Sequence, residues 1–335
     1  MRGLTIKLLI LLVTAGFFYG CESSRKRYIP EVDNSKLTEI PIHIKRYGEA
    51  LFSIDTNRFK EGLKSIKPDF KLFLDADLDD PANVKQLKDF VEDTLNRYLY
   101  RHTIQQFPDL SSTERDISQA MSYHHYYFPN FKIPGFYSYV SGAYYEAPVI
   151  VNGDVVLIGL DNYLGADFVH YARMGLPRYK MRWMIKQEVP VDVMRALYRA
   201  LPFRVSKQRN LLDRMITAGK ELFYLDAVMP GVADSLKIRY TQRQLTWVET
   251  NEKYIWAFLI SQKLLFSADF MQTNKLMQDG PFTKGFKGDA PARIGEWTGW
   301  QIVSAYMKRH PEVTLTQLFK MSDSQKILEE SGYKP

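Results

Sequence analysis

The sequence predicts an α+β fold that is predominantly helical and contains a small, largely antiparallel sheet. Apolar residues recur at helical spacing over most of the chain, and three short apolar runs near its middle are bounded by turn residues. We find no internal repeat, no low-complexity tract and no convincing domain boundary. Residues 41–335 are therefore interpreted as a single globular domain.

The first third of this domain is predicted to be helical. Residues 42–74 form helical segments with an acidic break, and residues 84–100 carry apolar side chains on one helical face. The aspartate-rich segment at residues 74–81 resembles a calcium loop, but it lacks the glycine and the terminal glutamate of an EF-hand. It is therefore interpreted as a turn and a helix start. A further helix is expected to begin near Ser111 and to end near Tyr123.

The predicted sheet lies in the middle of the chain. Residues 136–140, 148–151 and 154–160 are rich in β-branched and aromatic side chains, and Asn152-Gly153-Asp154 is a hairpin turn signal between the last two. A small, largely antiparallel sheet follows from this pattern. Beyond it the chain returns to helices, which we predict at residues 191–201, 211–226, 241–265 and 298–308.

The N-terminus has the pattern of a lipoprotein signal peptide. A basic start precedes an apolar run at residues 8–19 that is too short to span a bilayer comfortably. Phe18-Tyr19-Gly20-Cys21 resembles a bacterial lipobox, although Phe18 stands where leucine is preferred. We therefore predict a signal peptide over residues 1–20, acylation of Cys21 and a lipidated tether over residues 21–40. The alternative for Cys21 is a buried cysteine without a role.

The composition excludes several classes of function. A single cysteine permits no internal disulfide and no cysteine-based zinc site. The net charge of +7 comes from lysines and arginines that are scattered among carboxylates, which indicates a solvated surface and argues against a nucleic-acid partner. The chain contains no H-E-x-x-H, G-x-S-x-G or glycine-rich phosphate loop. We therefore expect no metal and no cofactor.

Three polar clusters are candidates for a functional role. Asp161 follows an apolar strand and is a ligand, a base or, as we favour, a turn-capping carboxylate. Lys220 lies on a predicted helix beside Gly219, which permits close helix approach, and Glu252 stands early in a later helix. The segment at residues 291–300 holds two indoles that either form a stacking surface for a sugar or peptide or, as we favour, seal a helix against the core.

Several strings along the mature chain match a family pattern in their order and spacing. They occur at residues 158–165, 177–179, 218–230, 237–241, 244–256, 281–283 and 293–299, and the resemblance as a whole, with Cys21 included, extends over almost the whole mature chain. Together with Cys21, these strings resemble the GldB family of gliding-motility-associated lipoproteins from Bacteroidota.

This resemblance implies an envelope lipoprotein that is required for gliding and is associated with the type IX secretion machinery. Acylated Cys21 would hold it on a lipid bilayer, which we expect to be the outer membrane, with the domain facing the periplasm. Its expected partners are envelope proteins of the gliding and secretion machinery. The resemblance establishes no catalytic residues.

A more distant likeness connects the chain with zinc peptidases of the gluzincin type. Those enzymes carry H-E-x-x-H on one helix and an acidic ligand on a later one. Here residues 171–201 contain no paired histidines, and Ala218 stands where the acid is expected. The resemblance therefore implies a zinc-peptidase-like scaffold that lacks the metal motif and its chemistry.

Two functions follow from these observations. The first is a non-enzymatic binding or assembly component whose groove is formed by Asp161, Tyr163, Gly165, Lys220, Glu252, Arg293 and Trp297. The second is an envelope hydrolase that acts on a peptide or cell-wall substrate through the carboxylates of Asp161, Glu188 and Glu252. We favour the first function.

Overall fold

The computed structural model describes residues 27–202, 204, 209–286 and 290–335. The predicted signal peptide and Cys21 lie outside the described residues. The first half of the domain contains the sheet and the helices that precede it. These elements are β1 (Ile44–Arg46), α1 (Tyr47–Phe52), α2 (Phe59–Ile66), α3 (Pro81–Glu92), α4 (Thr94–Gln106), α5 (Ser111–Tyr127), β2 (Gly135–Tyr139), β3 (Val149–Asn152) and β4 (Val155–Gly159).

The second half is helical, which confirms the predicted α+β class with a predominance of helix. Its elements are α6 (Val169–Arg173), α7 (Arg178–Met181), α8 (Glu188–Ala200), α9 (Leu211–Val228), α10 (Asp234–Ile238), α11 (Gln242–Thr250), α12 (Glu252–Ser261), α13 (Phe270–Met277), α14 (Ile294–Arg309), α15 (Leu315–Lys320) and α16 (Ser324–Ser331). None of the described helices is long and apolar enough to cross a membrane.

The sheet is mixed, so the prediction of a largely antiparallel sheet is wrong. Its strand order is β1-β2-β4-β3; β1 pairs parallel with β2, and β2 pairs parallel with β4. Among the described strands, β3 and β4 alone pair antiparallel, and the predicted turn joins them with Gly153 at a φ of +57°. The hairpin signal is local and fixes only this pair. β3 runs opposite to both β2 and β4, so β2 and β4 run in the same direction and pair parallel.

Capping side chains explain where several helices differ from their predicted bounds. The predicted helix at residues 84–100 is divided into α3 and α4, because Asp93 accepts a hydrogen bond from the Asn96 amide and starts a new helix. Asn251 lies between α11 and α12 and does not cap α12 with its side chain, which instead donates to the Trp247 carbonyl of α11 at 2.8 Å. The aspartate-rich segment is a turn and helix start, as predicted, since Asp80 caps α3 and Pro81 is its first residue.

The centre of the core is the crossing of α9 and α14. A Cβ atom at Gly219 would lie 2.3 Å from the Gly299 carbonyl oxygen, and one at Gly299 would lie 1.8 Å from the Met215 carbonyl oxygen. The two backbones are therefore in direct contact, as the sequence predicted for Gly219. Trp297 and Trp300 of α14 are buried in the main core, so the favoured interpretation that they seal a helix is confirmed.

The start of the described chain is bound to this core. The fully buried Asp226 carboxylate accepts hydrogen bonds from Lys237 Nζ at 2.8 Å, Arg27 Nε at 3.0 Å and Trp300 Nε1 at 2.7 Å. The Arg27 guanidinium also lies 3.3 Å from the centre of the Trp300 ring. Further along, the Ile40 amide donates to Ser122 Oγ at 3.1 Å. The part of the predicted tether that begins at Arg27 therefore contacts the domain.

Candidate functional site

A cleft opens between the edge of the sheet and helices α8 and α9. It has a smaller lobe of about 420 Å³ and a larger lobe of about 870 Å³. Clefts of this size commonly bind ligands. The two lobes adjoin, since six residues line both of them: Tyr145, Glu146, Pro148, Asp192, Arg239 and Arg293. We call the whole cavity the arginine cleft.

Among the described residues, basic side chains outnumber acidic ones around the arginine cleft. Four of its five carboxylates contact an arginine, whereas Glu146 is exposed. An excess of positive charge in a concave site attracts anionic ligands. The basic residues are Lys180, Arg195, Arg199, Arg204, Arg214, Arg239 and Arg293, and the acidic ones are Glu146, Asp192, Glu221, Asp279 and Glu296.

A buried ionic network forms the wall between the two lobes. Glu188 and Asp192 are four residues apart on α8, so both carboxylates lie on one helix face. Arg239 contacts both, with Nε 3.0 Å from Glu188 Oε2, and the Tyr163 hydroxyl donates to Asp192 Oδ2 at 2.9 Å. Burial, assisted by Asp192 and opposed by Arg239, raises the pKa of Glu188 to about 7. Glu188 Oε1 is buried without a hydrogen-bond partner in the described chain.

Two arginines of the cleft have left-handed backbones. Arg239 ends α10 with a φ of +57°, and Arg293 precedes α14 with a φ of +59°. This conformation is uncommon for residues other than glycine, and such outliers cluster at functional sites. Arg293 Nη2 donates to the Ile238 carbonyl at 2.8 Å, which joins the two segments. Both unusual backbones therefore position side chains at the cleft.

The remaining arginines fall into two groups. Glu221 accepts hydrogen bonds from Arg195 Nη1 at 2.6 Å and from Arg199 Nε at 2.9 Å. Burial alone would raise the pKa of Glu221. The two guanidinium groups lower it by more than burial raises it, so the pKa of Glu221 lies below its usual value. Arg204 and Arg214 have no carboxylate within ion-pair distance among the described residues. These two arginines, together with the exposed Lys180, are available to an external anion.

The structure brings only two of the seven predicted groove residues into the cleft, namely Tyr163 and Arg293. Asp161 is fully buried and accepts hydrogen bonds from the Ser141 and Ala143 amides at 2.8 and 2.6 Å. It is the turn-capping carboxylate that we favoured. Burial raises the pKa of the Asp161 carboxyl above its usual value, although the hydrogen bonds that it accepts act in the opposite direction.

The other four predicted groove residues have structural roles elsewhere. Gly165 has a φ of +110° in a turn, and Trp297 is buried in the core. Lys220 donates to the Met321 carbonyl at 2.7 Å, and burial lowers its pKa to about 8. Glu252 accepts from the Tyr333 hydroxyl at 2.9 Å. Neither lobe of the arginine cleft is lined by these four residues.

Sequence reasoning missed most of the cleft, including Asp192, Arg214 and Arg239. The available signal was the pattern Glu188-Val-Pro-Val-Asp192, in which two acids occur within an apolar helix start. Such buried acids need a nearby cation, which the partly exposed Arg239 supplies. In the part of the chain that the structure describes, no three His, Cys, Asp or Glu side chains are arranged to hold a metal ion.

Comparison with known proteins gives a family assignment. A search of curated proteins found no match, and a search of solved structures found none either, so the expected likeness to zinc peptidases has no support. One family model, described as gliding motility protein GldB, matches residues 27–335. This match covers nearly the whole chain and both walls of the arginine cleft. The chain therefore belongs to the GldB family of gliding motility proteins.

Proposed function

We propose that this protein is a lipid-anchored, non-enzymatic component of the gliding and type IX secretion machinery, and that it binds an envelope protein in the arginine cleft. The observation that carries the proposal is the charge of the cleft. Arg204 and Arg214 face it without carboxylate partners in the described chain, whereas four of its five carboxylates are held by arginines. This arrangement suits binding of an anionic group better than proton transfer.

The proposed anchor places the cleft near a membrane. Only five residues separate Cys21 from Arg27, which is bound to Asp226 in the core. Even a fully extended chain covers about 20 Å over this interval. Two or three acyl chains on Cys21 would give stable attachment, at about 0.8 kcal/mol for each buried methylene. We place the anchor in the outer membrane, with the domain on the periplasmic side.

A hydrolase is the second candidate, because the pKa of Glu188 is about 7 and suits a general acid or base. The three carboxylates expected for that function do not converge. Asp161 accepts hydrogen bonds from a turn, Glu252 binds Tyr333, and Glu188 lies behind Arg239 without lining the cleft. The geometry therefore favours binding.

Complementation of a deletion strain tests the proposal. Wild type, Cys21→Ala and Glu188→Gln would be compared for surface spreading and for release of secreted cargo, with protein levels followed by immunoblot. We expect deletion to abolish both activities, wild type and Glu188→Gln to restore them, and Cys21→Ala to fail.

Each alternative has a distinct result. Normal spreading and secretion after deletion would contradict the role in the machinery. Restoration by Cys21→Ala would contradict the anchor. A Glu188→Gln protein that accumulates normally but does not restore function would favour the hydrolase.

A further inference from the structure

The outer edge of β3 presents backbone groups that the sheet does not use. Hydrogen-bonded and non-hydrogen-bonded pairs alternate along an antiparallel ladder. Because the Gly159 amide donates to the Pro148 carbonyl at 2.9 Å, Ile150 is the next residue to bond β4. The N–H and C=O groups of Val149 and Val151 therefore point away from β4. No hydrogen bond from the described chain outside the sheet reaches them, and β3 is the last strand in the order.

This open edge lies along the arginine cleft. Val149 and Val151, whose side chains share one face of the strand, line the larger lobe, whereas Ile150 does not. The segment before β3 continues the same wall, and helices α8 and α9 form the opposite one. An unpaired strand edge beside a groove is the arrangement by which extended peptides add to a sheet. The residues of the first wall are Tyr145, Glu146, Ala147, Pro148, Val149 and Val151.

Arg214 lies on α9 in the wall opposite β3, and Arg204 follows α8 in the chain; among the described residues neither has a carboxylate within ion-pair distance. Arg214 Nη2 donates to Asn274 Oδ1 at 2.8 Å, and its guanidinium lies 5.2 Å from the centre of the Phe270 ring. These neutral neighbours orient the cation without neutralising it. Arg204 Nε is buried and has no hydrogen-bond partner in the described chain. Guanidinium groups bind carboxylates in a bidentate manner, and a buried unpaired donor is costly to leave unmatched.

We infer that the arginine cleft binds an extended acidic peptide segment, which adds as a strand to β3 and places carboxylates on Arg204 and Arg214. The inference rests on the proposed function and specifies the chemistry of the partner. Main-chain hydrogen bonds to Val149 and Val151 provide affinity, and the arginines select acidic side chains. In an added strand, alternate residues point to the same side, so acidic residues at every second position are expected.

A peptide-binding experiment on the detergent-solubilised full chain tests this inference. The probe is a fluorescent seven-residue peptide that alternates glutamate with valine, and its controls carry glutamine in place of glutamate or N-methyl groups on the backbone. We expect at least tenfold weaker binding of both controls. Hydrogen exchange at the amides of Val149 and Val151 should slow when the glutamate peptide binds.

Two variants separate the backbone contribution from the charge contribution. Val151→Pro removes an outward N–H that β4 does not use, and proline is tolerated at such edge positions. We expect it to weaken the glutamate and glutamine peptides alike. Arg214→Gln should weaken only the glutamate peptide, by about tenfold. Thermal unfolding of each variant confirms that it is folded.

Other outcomes overturn the inference. Equal affinity for the glutamate and glutamine peptides would remove the acidic specificity, and unchanged exchange at Val149 and Val151 would exclude strand addition. Complete competition by inorganic phosphate, with no effect of N-methylation, would show that the cleft binds small anions instead. If no peptide binds but the deletion strain still loses gliding, only this inference fails and the proposed function stands.

Discussion

Replacement of Gly299 by alanine should destabilise the protein, because α9 and α14 touch through their backbones at this position. The new Cβ atom would lie 1.8 Å from the Met215 carbonyl oxygen, whereas ordinary contact begins near 3.4 Å. A carbonyl oxygen inside a helix cannot rotate away as a side chain can. The two helices must therefore move apart by roughly 1.5 Å.

The size of the effect follows from the packing that this movement loosens. Four large buried side chains lie within one turn of the two crossing glycines, and each contributes about 2 kcal/mol when fully buried. A gap of this order forfeits roughly a quarter to a half of such contacts, or about 2–4 kcal/mol in all. Alanine recovers about 1 kcal/mol of helix propensity. The free energy of unfolding should therefore fall by about 1–3 kcal/mol. The four buried side chains are Met215, Leu222, Trp300 and Val303.

Urea unfolding followed by circular dichroism measures this loss. Gly231→Ala is the matched control, because a Cβ atom there has no neighbour within 4 Å and its stability should change by less than about 0.5 kcal/mol. Gly219→Ala should behave like Gly299→Ala, since its Cβ atom would lie 2.3 Å from the Gly299 carbonyl oxygen. An unfolding midpoint for Gly299→Ala at or above that of wild type would refute the reasoning, because helix propensity alone would then decide the outcome.

Three further predictions concern buried carboxylates. Asp226→Asn leaves the fully buried Lys237 with Asp234, 4.0 Å away, as its remaining charged partner among the described residues, and should cost about 3 kcal/mol in urea unfolding; a loss below about 1 kcal/mol would contradict the ion pair with Asp226. The pKa of Glu188 is raised from 4.5 to about 7, so its contribution to stability is complete below pH 4.5 and is lost as the pH rises to about 7. Between pH 5 and pH 8, the free energy of unfolding of wild type should fall by on the order of 2 kcal/mol more than that of Glu188→Gln. Free energies of unfolding that change with pH in the same way for both proteins would exclude this effect. In Asp161→Asn, the side-chain NH2 group would face the N–H of Ser141 or Ala143, so one of these two hydrogen bonds would be lost. We expect the free energy of unfolding to fall by about 2 kcal/mol. An unchanged unfolding midpoint would show that the turn does not need the carboxylate.

Among the residues that the sequence singled out, Asp161 had a predictable role, although it lies outside the arginine cleft. It follows a strand and accepts hydrogen bonds from a turn, as expected, but this turn at Ser141–Ala143 lies about twenty residues earlier in the chain, so local pattern did not predict the partners. Arg239 gave no such signal, because its partners Glu188 and Asp192 precede it by about fifty residues. Arginines are ordinary surface residues in a sequence. Only the approach of α10 to α8 distinguishes this one.

Local patterns in the sequence specify the helices, the β3–β4 hairpin and the close approach at Gly219, because each depends on residues a few positions apart. The lipidation of Cys21 is likewise a prediction from local pattern. The parallel pairing of β2 with β4 and the arginine cleft depend on contacts between distant segments. Folding selects these contacts by the apolar surface that they bury jointly, and no single segment carries that information. The open edge of β3 and the unmatched charges of Arg204 and Arg214 therefore became visible only in the folded chain.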